Sequence, residues 1–241
     1  MIPRPTHPAP AGMEAKLTVL EQIYAYFDEL TGQTDWACRA GCAQCCTVNV
    51  SLTTLEGVYL YRALKPPSPQ LLAELAKRAR APRYRPRFSL NDFAWRCAQG
   101  RDTPEEHNDP RWGACPLLEH DLCTVYTHRP FGCRCMLSNR QCGPQAEASL
   151  DEWQLTINHL FLQVIEHLDC PGWTGNLTDI LLYWHHRPAG AAADRAAATE
   201  SPAPFPANQP ARALLIPPEH RRAAGPVLQK LQQFMAPFQE S

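Results

Sequence analysis

Four cysteines lie close together near the start of the chain, at Cys38, Cys42, Cys45 and Cys46 in the pattern Cys-x3-Cys-x2-Cys-Cys. Thiolates are soft donors that prefer zinc, copper(I) or iron–sulfur clusters to magnesium or calcium. Two or three intervening residues allow the backbone to fold around one metal ion. Because the side chains of adjacent residues diverge, we expect Cys45 and Cys46 not to share one ion. One of them would reach a second metal or stay free and reactive.

A second cysteine group occupies residues 115–142. Cys115, Cys123 and Cys133 are predicted ligands, and Cys135 and Cys142 are additional candidates. A mononuclear all-thiolate site uses four ligands. The two groups together contain seven stronger candidate ligands, more than one such site can use. This surplus predicts two metals or a cluster with a partner site. The seven are Cys38, Cys42, Cys45, Cys46, Cys115, Cys123 and Cys133.

Core packing and disulfide pairing are the ordinary alternatives for a cysteine. A free cysteine is often buried as a small hydrophobe, and we interpret the isolated Cys97 and Cys170 in this way. Packing does not explain the dense first group beside glycine and polar neighbours. The odd total of 11 cysteines argues against a closed set of disulfides.

Three side chains near the second group are predicted to support the metal ligands without binding the metal themselves. Arg129 and Arg134 flank Cys133, where they could lower thiolate pKa values, pair with a bound anion or neutralise a thiolate-rich site. Tyr126 is expected to pack, with its hydroxyl hydrogen-bonded. On a later helix, a polar stripe that includes Gln163 and Glu166 is interpreted as a solvated face, with acid–base groups as the alternative.

Both cysteine groups together resemble the YkgJ-like cysteine-cluster family, the zinc- or iron-chelating CxxCxxCC domain. The resemblance covers about residues 36–136 and rests on Cys45-Cys46, Cys115-Pro-Leu-Leu, Cys123-Thr-Val-Tyr, Arg129-Pro and Cys133-Arg. The first spacing departs from the family, which usually has two residues where this chain has three. Cys135 is also an additional thiol. The resemblance implies a metal site more than a reaction, although flagellin-lysine N-methylases look like distant relatives and keep methyl transfer as an alternative.

The composition limits the partners and the compartment. The net charge of −1 gives no indication of nucleic acid as a partner. No segment approaches the ~20 apolar residues of a membrane span, so we expect no membrane association. The proline-rich N-terminus does not read as an export signal, and cysteine-rich chains without one reside in reducing compartments. We therefore predict a cytoplasmic protein.

The remaining sequence predicts a mainly α fold: a small irregular helical domain organised around a cysteine-ligated metal site, with little β structure. Helices are expected over 17–30, 53–64, 68–80, 149–169, 176–186 and 226–238, and irregular chain over 81–113. The predicted organisation is a disordered N-terminus (1–15), a metal-binding domain (16–187), a Pro/Ala-rich linker (188–213) and a tail with a short helix (214–241).

Three functional hypotheses follow. The first is a metal-binding protein whose thiolate centre is structural or serves to carry, store or sense zinc or iron. The second is an iron–sulfur- or metal-dependent enzyme that modifies a protein or peptide, for example by redox or radical chemistry or by methyl transfer. The third is a zinc-folded protein that binds a protein or peptide partner through its tail helix. All-sulfur ligation suits both zinc and a [4Fe–4S] cluster, and the surplus of thiols favours iron.

Overall fold

The structure is a computed structural model that describes residues 12–65, 67–143, 147–187 and 205–238. Within these ranges it has eight α-helices and four strands of two or three residues. The helices are α1 (Met13–Thr31), α2 (Thr54–Ala63), α3 (Pro69–Arg78), α4 (Leu90–Ala98), α5 (Phe131–Arg134), α6 (Glu152–Leu168), α7 (Leu177–His185) and α8 (Arg221–Met235). The strands are β1 (Ser51–Thr53), β2 (Leu118–Glu119), β3 (Leu122–Cys123) and β4 (Thr174–Asn176). The prediction of a mainly α protein with little β structure is confirmed.

Local capping signals place several helices where the sequence predicts them. The Thr53 side chain accepts a hydrogen bond from the backbone N–H of Glu56, and the Glu56 carboxylate accepts one from the backbone N–H of Thr53. This reciprocal capping box satisfies backbone donors that would otherwise be unpaired at the start of α2. At α3, Ser68 caps the helix and Pro69 occupies its first turn, where a missing N–H costs nothing.

The main core is formed by α1 and α6 around three phenylalanines, of which Phe131 and Phe161 are stacked and Phe27 packs edge-on against both. The ring centroids of Phe27 and Phe131 are 4.6 Å apart, and those of Phe131 and Phe161 are 5.5 Å apart. All three side chains are fully buried. Helix α8 adds Val227 and Leu231 to the same core. The tail helix therefore docks on the chain's own core.

A second hydrophobic cluster joins α2, α3 and α7. It contains Leu60, Leu75 and Ile180, which are completely buried. Helices α2 and α7 approach closely at Gly57, where a Cβ atom would lie 2.2 Å from the Cγ2 atom of Ile180. Next to this cluster, β1 pairs antiparallel with β4, and Leu52 lies opposite Gly175. This pairing holds the chain that leads out of the first cysteine group.

Residues 81–113 are not wholly irregular, because helix α4 lies within them. Ser89 caps this helix by accepting a hydrogen bond from the backbone N–H of Asp92. The backbone N–H of Asn91 donates to the Glu166 carboxylate of α6 at 2.8 Å. The prediction of irregular chain over this part of the sequence is wrong, because Ser89 begins a short helix there that also bonds to α6.

The segment after residue 204 also differs from the expected flexible linker (188–213). Residues 188–204 lie outside the described residues, but residues 205–215 run along α6. The backbone N–H of Gln209 donates to Glu166 at 2.8 Å, and that of Leu215 donates to Gln163 at 2.8 Å. Gln163 and Glu166 are buried. The polar stripe of α6 is therefore partly covered by this segment and is not simply a solvated face.

The other predicted boundaries are only partly covered by the structure. Of the predicted disordered N-terminus (1–15), residues 1–11 lie outside the described residues and α1 begins at Met13. Of the predicted tail (214–241), residues 239–241 lie outside them as well. Within the ranges described, no helix combines the length and the apolar character needed to cross a bilayer.

Candidate metal centre

A cavity of about 380 Å³ between β1, the β2–β3 hairpin and α5 is lined with cysteines. All seven of the stronger candidate ligands reach its wall, and they come from two parts of the chain that are about 70 residues apart in sequence. They are Cys38, Cys42, Cys45, Cys46, Cys115, Cys123 and Cys133. The structure therefore brings together the whole predicted set, and the role of these thiols as ligands stays a prediction.

The first cysteine loop is folded by consecutive turns. The backbone N–H of Cys42 donates to the carbonyl of Arg39 at 3.0 Å, and that of Cys46 donates to the carbonyl of Ala43 at 3.0 Å. Within the first turn, Gly41 adopts a φ of +89°, a left-handed backbone conformation that is unfavourable for a residue with a side chain. The two turns direct successive cysteines toward the same cavity.

The two cysteine groups are joined by a short antiparallel pairing. Thr47 forms an isolated bridge with Ala114. The backbone N–H of Cys115 donates to the carbonyl of Cys46 at 2.9 Å. This register places Cys46 directly opposite Cys115, where the Cβ atoms of a cross-strand pair are typically ~5 Å apart.

The β2–β3 hairpin presents Cys123. Leu118 lies opposite Cys123, and the two-residue turn between the strands is His120-Asp121. Both turn residues have positive φ angles, of 48° and 62°, as a type I′ turn requires. Asp is one of the residues that tolerate this conformation best. The tight turn returns the chain so that Cys123 comes back to the wall that contains Cys115.

Helix α5 presents Cys133, and a buried carboxylate fixes the start of this helix. The Glu56 side chain is 2% exposed. Its Oε1 atom accepts from the backbone N–H of Phe131 at 2.7 Å and from the Tyr24 hydroxyl at 2.9 Å. Because its Oε2 atom caps α2, Glu56 connects α1, α2 and α5 behind the cavity. The capping box signalled the Oε2 contacts in the sequence, but no local pattern indicated the contact with Phe131.

The predicted supporting residues divide into two roles. Arg129 and Tyr126 line the cavity, and the Arg129 guanidinium lies 3.7 Å from the Tyr126 ring centroid. The Nε atom of Arg129 is buried and has no hydrogen-bond partner among the described residues. Arg134, by contrast, is not among the cavity-lining residues. It donates to the Asp28 carboxylate at 3.0 Å and to the Arg129 carbonyl at 3.0 Å, so it braces the loop before Cys133.

Burial raises the pKa values of three lining thiols, Cys38, Cys115 and Cys133. Burial raises the pKa of Cys115 to about 11, and it raises the pKa of Cys133 well above the ordinary thiol value. Burial also raises the pKa of Cys38, with nearby thiols adding to the effect. A hydrogen bond with Cys45 lowers the pKa of Cys46, whose thiol is thus the more readily deprotonated of this pair. Ligation would displace protons from the other thiols.

The additional candidates differ in their surroundings. Cys142 lines a smaller cavity of about 280 Å³ together with Cys42. Cys135 is buried in the main core, with its thiol 3.6 Å from the Gly132 carbonyl. Cys97 is exposed on α4, which differs from the expectation of a buried small side chain. Cys170 is half-buried, and its thiol donates to the Glu166 carbonyl at 3.6 Å.

The sulfur donors of the lining cysteines suit zinc or iron, whereas their side chains, as placed in the structure, do not form a coordination site. In the part of the chain that the structure describes, no three Cys, His, Asp or Glu side chains are arranged to hold one metal ion. The cysteines nevertheless surround a common space, and each side chain has staggered alternatives for its single heavy-atom torsion. Binding would therefore require some thiols to change rotamer toward the centre of the cavity.

The family comparison agrees with this donor set. Residues 37–155 match the CxxCxxCC family model, described as "Putative zinc- or iron-chelating domain". The matched range contains every cysteine that lines the cavity. Searches of curated proteins and of solved structures gave no match. The cysteine-rich range 37–155 of this chain therefore matches the CxxCxxCC family.

Proposed function

We propose that this protein binds zinc or iron through thiolates of the cavity, and that the centre is structural or serves to carry or sense the metal. The observation that carries the proposal is that seven cysteines from two sequence groups line one cavity of about 380 Å³. Ordinary core packing does not account for it, since most of these thiols are only partly buried and Cys45 is exposed.

The cavity wall supports a negatively charged thiolate centre. Arg129 and Arg39 both line it, and the charge of Arg129 favours the thiolate forms of Cys45 and Cys133. The buried Nε of Arg129 has no partner among the described residues, so it is available to a sulfur ligand or a bound anion. A hydrogen bond from a guanidinium to an ionised group is about twice as strong as a neutral one.

The ligand set is compatible with two kinds of metal. Thiolates bind zinc in closed tetrahedral sites, and they also hold iron–sulfur clusters. The number of thiols exceeds the four of one mononuclear site, which favours iron in a cluster or more than one metal ion. We expect the protein to be cytoplasmic, where thiols stay reduced, and not to depend on nucleic acid or membrane binding.

The experiment that tests this proposal is metal analysis of protein purified without oxygen. The same sample is used for elemental analysis and for an absorption spectrum. Iron with a broad band near ~400 nm would identify a cluster, and a colourless sample with zinc would identify a closed thiolate site. Cys115→Ser is expected to lose metal, whereas Cys97→Ser on α4 serves as the matched control. A wild-type protein that is folded and free of metal would contradict the proposal.

A second candidate function, metal-dependent modification of a protein or peptide, is favoured by a neighbouring cavity. This cavity has a volume of about 410 Å³ and shares Ser51 and Tyr84 with the thiol cavity. Near the thiols, Leu122 and Met136 are exposed apolar side chains, at 54% and 49%, and Met136 lines the thiol cavity. A peptide could contact these side chains and reach the centre.

Catalysis at the metal needs an open coordination position, whereas a structural or carrier site is saturated. Cobalt(II) substituted for the native metal would distinguish the two, because its absorption bands respond to a change of ligands. Addition of cyanide is expected to leave the bands of a saturated thiolate site unchanged. A large spectral change, without release of cobalt, would support the enzyme and oppose the purely structural role.

A further inference from the structure

We propose that the cavity of about 410 Å³ next to the thiol cavity binds a basic side chain of a peptide, an arginine or a lysine flanked by apolar residues. This inference goes beyond metal binding, because among the described residues no cysteine contributes to the wall of this cavity. It also gives the second candidate function a substrate class, since the two cavities share Ser51 and Tyr84.

Most of the cavity wall is apolar and aromatic. Helix α4 and the segment that leads into it contribute Tyr84, Phe88 and Phe93, and Phe93 is 37% exposed. Pro86 and Pro104 add further apolar surface. Aromatic faces attract cations, and apolar surfaces pack well against the methylene stems of lysine and arginine. The wall therefore suits a side chain that has an apolar stem and a charged end.

The charged part of the wall is acidic. No lysine, arginine or histidine is among the described residues that line the cavity. Four carboxylates line it, and they belong to Glu56, Glu105, Glu106 and Glu166. A cleft lined by one sign of charge and by apolar surface concentrates ligands of the opposite charge. The charge of the wall therefore favours a cation.

The buried carboxylates are held by neutral donors. The two oxygens of Glu166 accept from the backbone N–H groups of Gln209 and Asn91, each at 2.8 Å. One oxygen of Glu106 accepts from the backbone N–H of Arg87 at 2.7 Å. These donors fix the carboxylates in place and add no positive side chain to the wall. Burial raises the pKa of Glu166, and a bound cation would favour its ionised form.

An arginine outside the cavity illustrates the contact that the aromatic wall offers. The guanidinium of Arg96 lies 4.3 Å from the ring centroid of Phe88, and its Nε atom donates to the Asp92 carboxylate at 3.0 Å. Arg96 is not among the lining residues. Its charge is paired with Asp92, so it does not take the place of a ligand in the cavity.

Tyr84 forms a fixed border between the two cavities. Its hydroxyl donates to the Glu106 carboxylate, and its backbone N–H donates to the Asn49 side chain at 2.9 Å. Since Tyr84 also lines the thiol cavity, a basic side chain bound against it would lie beside the thiols. The peptide and the metal centre would then be neighbours.

The dimensions of the cavity favour an organic cation over a metal ion. A volume of about 410 Å³ lies within the ~300–1,000 Å³ of ordinary ligand sites. Within the described ranges, no three Cys, His, Asp or Glu side chains are placed to hold one ion. A basic side chain with apolar neighbours would fill the space and contact the aromatic wall.

Titration of the full chain, purified without oxygen, with blocked peptides tests the inference. The probes are the peptide Ala-Leu-Arg-Leu-Ala and its counterparts with lysine or glutamine in the middle, and binding is measured by calorimetry. We expect the arginine and lysine peptides to bind about tenfold more tightly than the glutamine peptide. Salt should weaken the first two and leave the third unchanged.

Glu105→Gln is the sharpest variant, because Glu105 is exposed and lies outside the helices and strands. It should weaken the arginine peptide roughly two- to fivefold and leave the glutamine peptide unchanged. Phe93→Ser, on the exposed edge of the wall, should weaken both peptides. Glu14→Gln, the matched control, removes the same charge away from the cavity and should change neither.

The outcomes separate this inference from the proposed function. Equal affinity for the arginine and glutamine peptides, or no binding of either, would overturn the inference whatever the metal content. Wild-type affinity of Glu105→Gln for the arginine peptide would overturn it as well. Arginine amide that binds as tightly as the peptide would overturn the assignment to a peptide. A metal-free wild type that still prefers the arginine peptide would support this inference and contradict the proposed metal binding.

Discussion

Replacing Glu56 by glutamine tests whether the buried carboxylate positions the metal centre. The Oε1 atom of Glu56 accepts hydrogen bonds from the Tyr24 hydroxyl and the Phe131 N–H, at 2.9 and 2.7 Å. Its Oε2 atom accepts from the N–H and the hydroxyl of Thr53, at 2.9 and 3.1 Å. Glutamine has almost the same shape but only one acceptor oxygen, so its NH₂ group must face one of these two pairs of donors.

The cost of Glu56→Gln follows from this geometry. A hydroxyl can rotate and accept a hydrogen bond from the new amide, but a backbone N–H cannot. Either the N–H of Phe131 or that of Thr53 therefore loses its acceptor in a site that is 2% exposed. An unsatisfied buried donor costs about 1–3 kcal/mol. For a protein of this size, that corresponds to a decrease in melting temperature of roughly 2–12 °C.

The assay combines chemical denaturation with zinc or iron content after dialysis against a chelator. We expect Glu56→Gln to lower the free energy of unfolding and to retain less metal, because Phe131 begins the helix that carries Cys133. Glu14→Gln is the matched control: its carboxylate pairs with Arg62 at the surface, with 78% of the side chain exposed, and no measurable change is expected. Wild-type stability and metal retention in Glu56→Gln would refute the positioning role.

Three further predictions concern the tail helix, a buried acid and a ligand. Leu231→Ala on α8 removes a fully buried side chain and should lower the free energy of unfolding by about 2–5 kcal/mol; an unchanged denaturation midpoint would show that α8 does not dock in solution. Burial raises the pKa of Asp169 to about 7, so the folded state binds a proton that the unfolded state releases near pH 4. The protonated carboxyl therefore contributes stability that is present in full below pH 4 and is lost as the pH rises through 7. Asp169→Asn should flatten this part of the dependence of the unfolding free energy on pH; a dependence identical to the wild type's would contradict the raised pKa of Asp169. Cys133→Ser should bind less zinc at any pH. Since burial raises the pKa values of Cys115 and Cys133, zinc must displace their protons and wild-type affinity should increase with pH; zinc binding to the wild type that is independent of pH, measured by competition with a chelator, would contradict the raised thiol pKa values.

Much of the helical framework is encoded locally and was therefore predictable. The capping box of Thr53 and Glu56 and the Ser68-Pro69 start of α3 depend on contacts within one turn. In contrast, α4 is nine residues long and follows a proline- and arginine-rich run. Its hydrogen bond to Glu166 joins residues 75 positions apart, and such long-range contacts leave no periodic signal in a short sequence window.

The end of the Pro/Ala-rich segment, residues 205–213, forms long-range contacts that its composition does not indicate. Its composition indicates a chain that cannot bury enough surface to fold alone. Residues after 204 do not need to fold alone, because Gln163 and Glu166 of α6 provide hydrogen-bond partners for their backbone. The polar stripe on α6 was recognised in the sequence, but its partner lies more than 40 residues away.

The members of the candidate site were predictable, whereas their grouping was not. Residue type and spacing identify every thiol that lines the cavity, because clustered cysteines have few other uses. The pairing of Cys46 with Cys115 arises from backbone contacts across 69 positions of the chain, which no local rule provides. Similarly, Arg129 and Arg134 lie on either side of Cys133 in the sequence, but in the structure Arg134 pairs with Asp28 and, of these two, Arg129 lines the cavity.

X-ray absorption at the metal edge of anaerobically purified protein is the sharpest test of thiolate ligation, because it reports the atoms bound to the metal. We expect a first coordination shell made of sulfur, at about 2.3 Å if the metal is zinc. Cys97→Ser should leave this shell unchanged. A first shell made of nitrogen and oxygen alone would contradict thiolate ligation by the cavity cysteines.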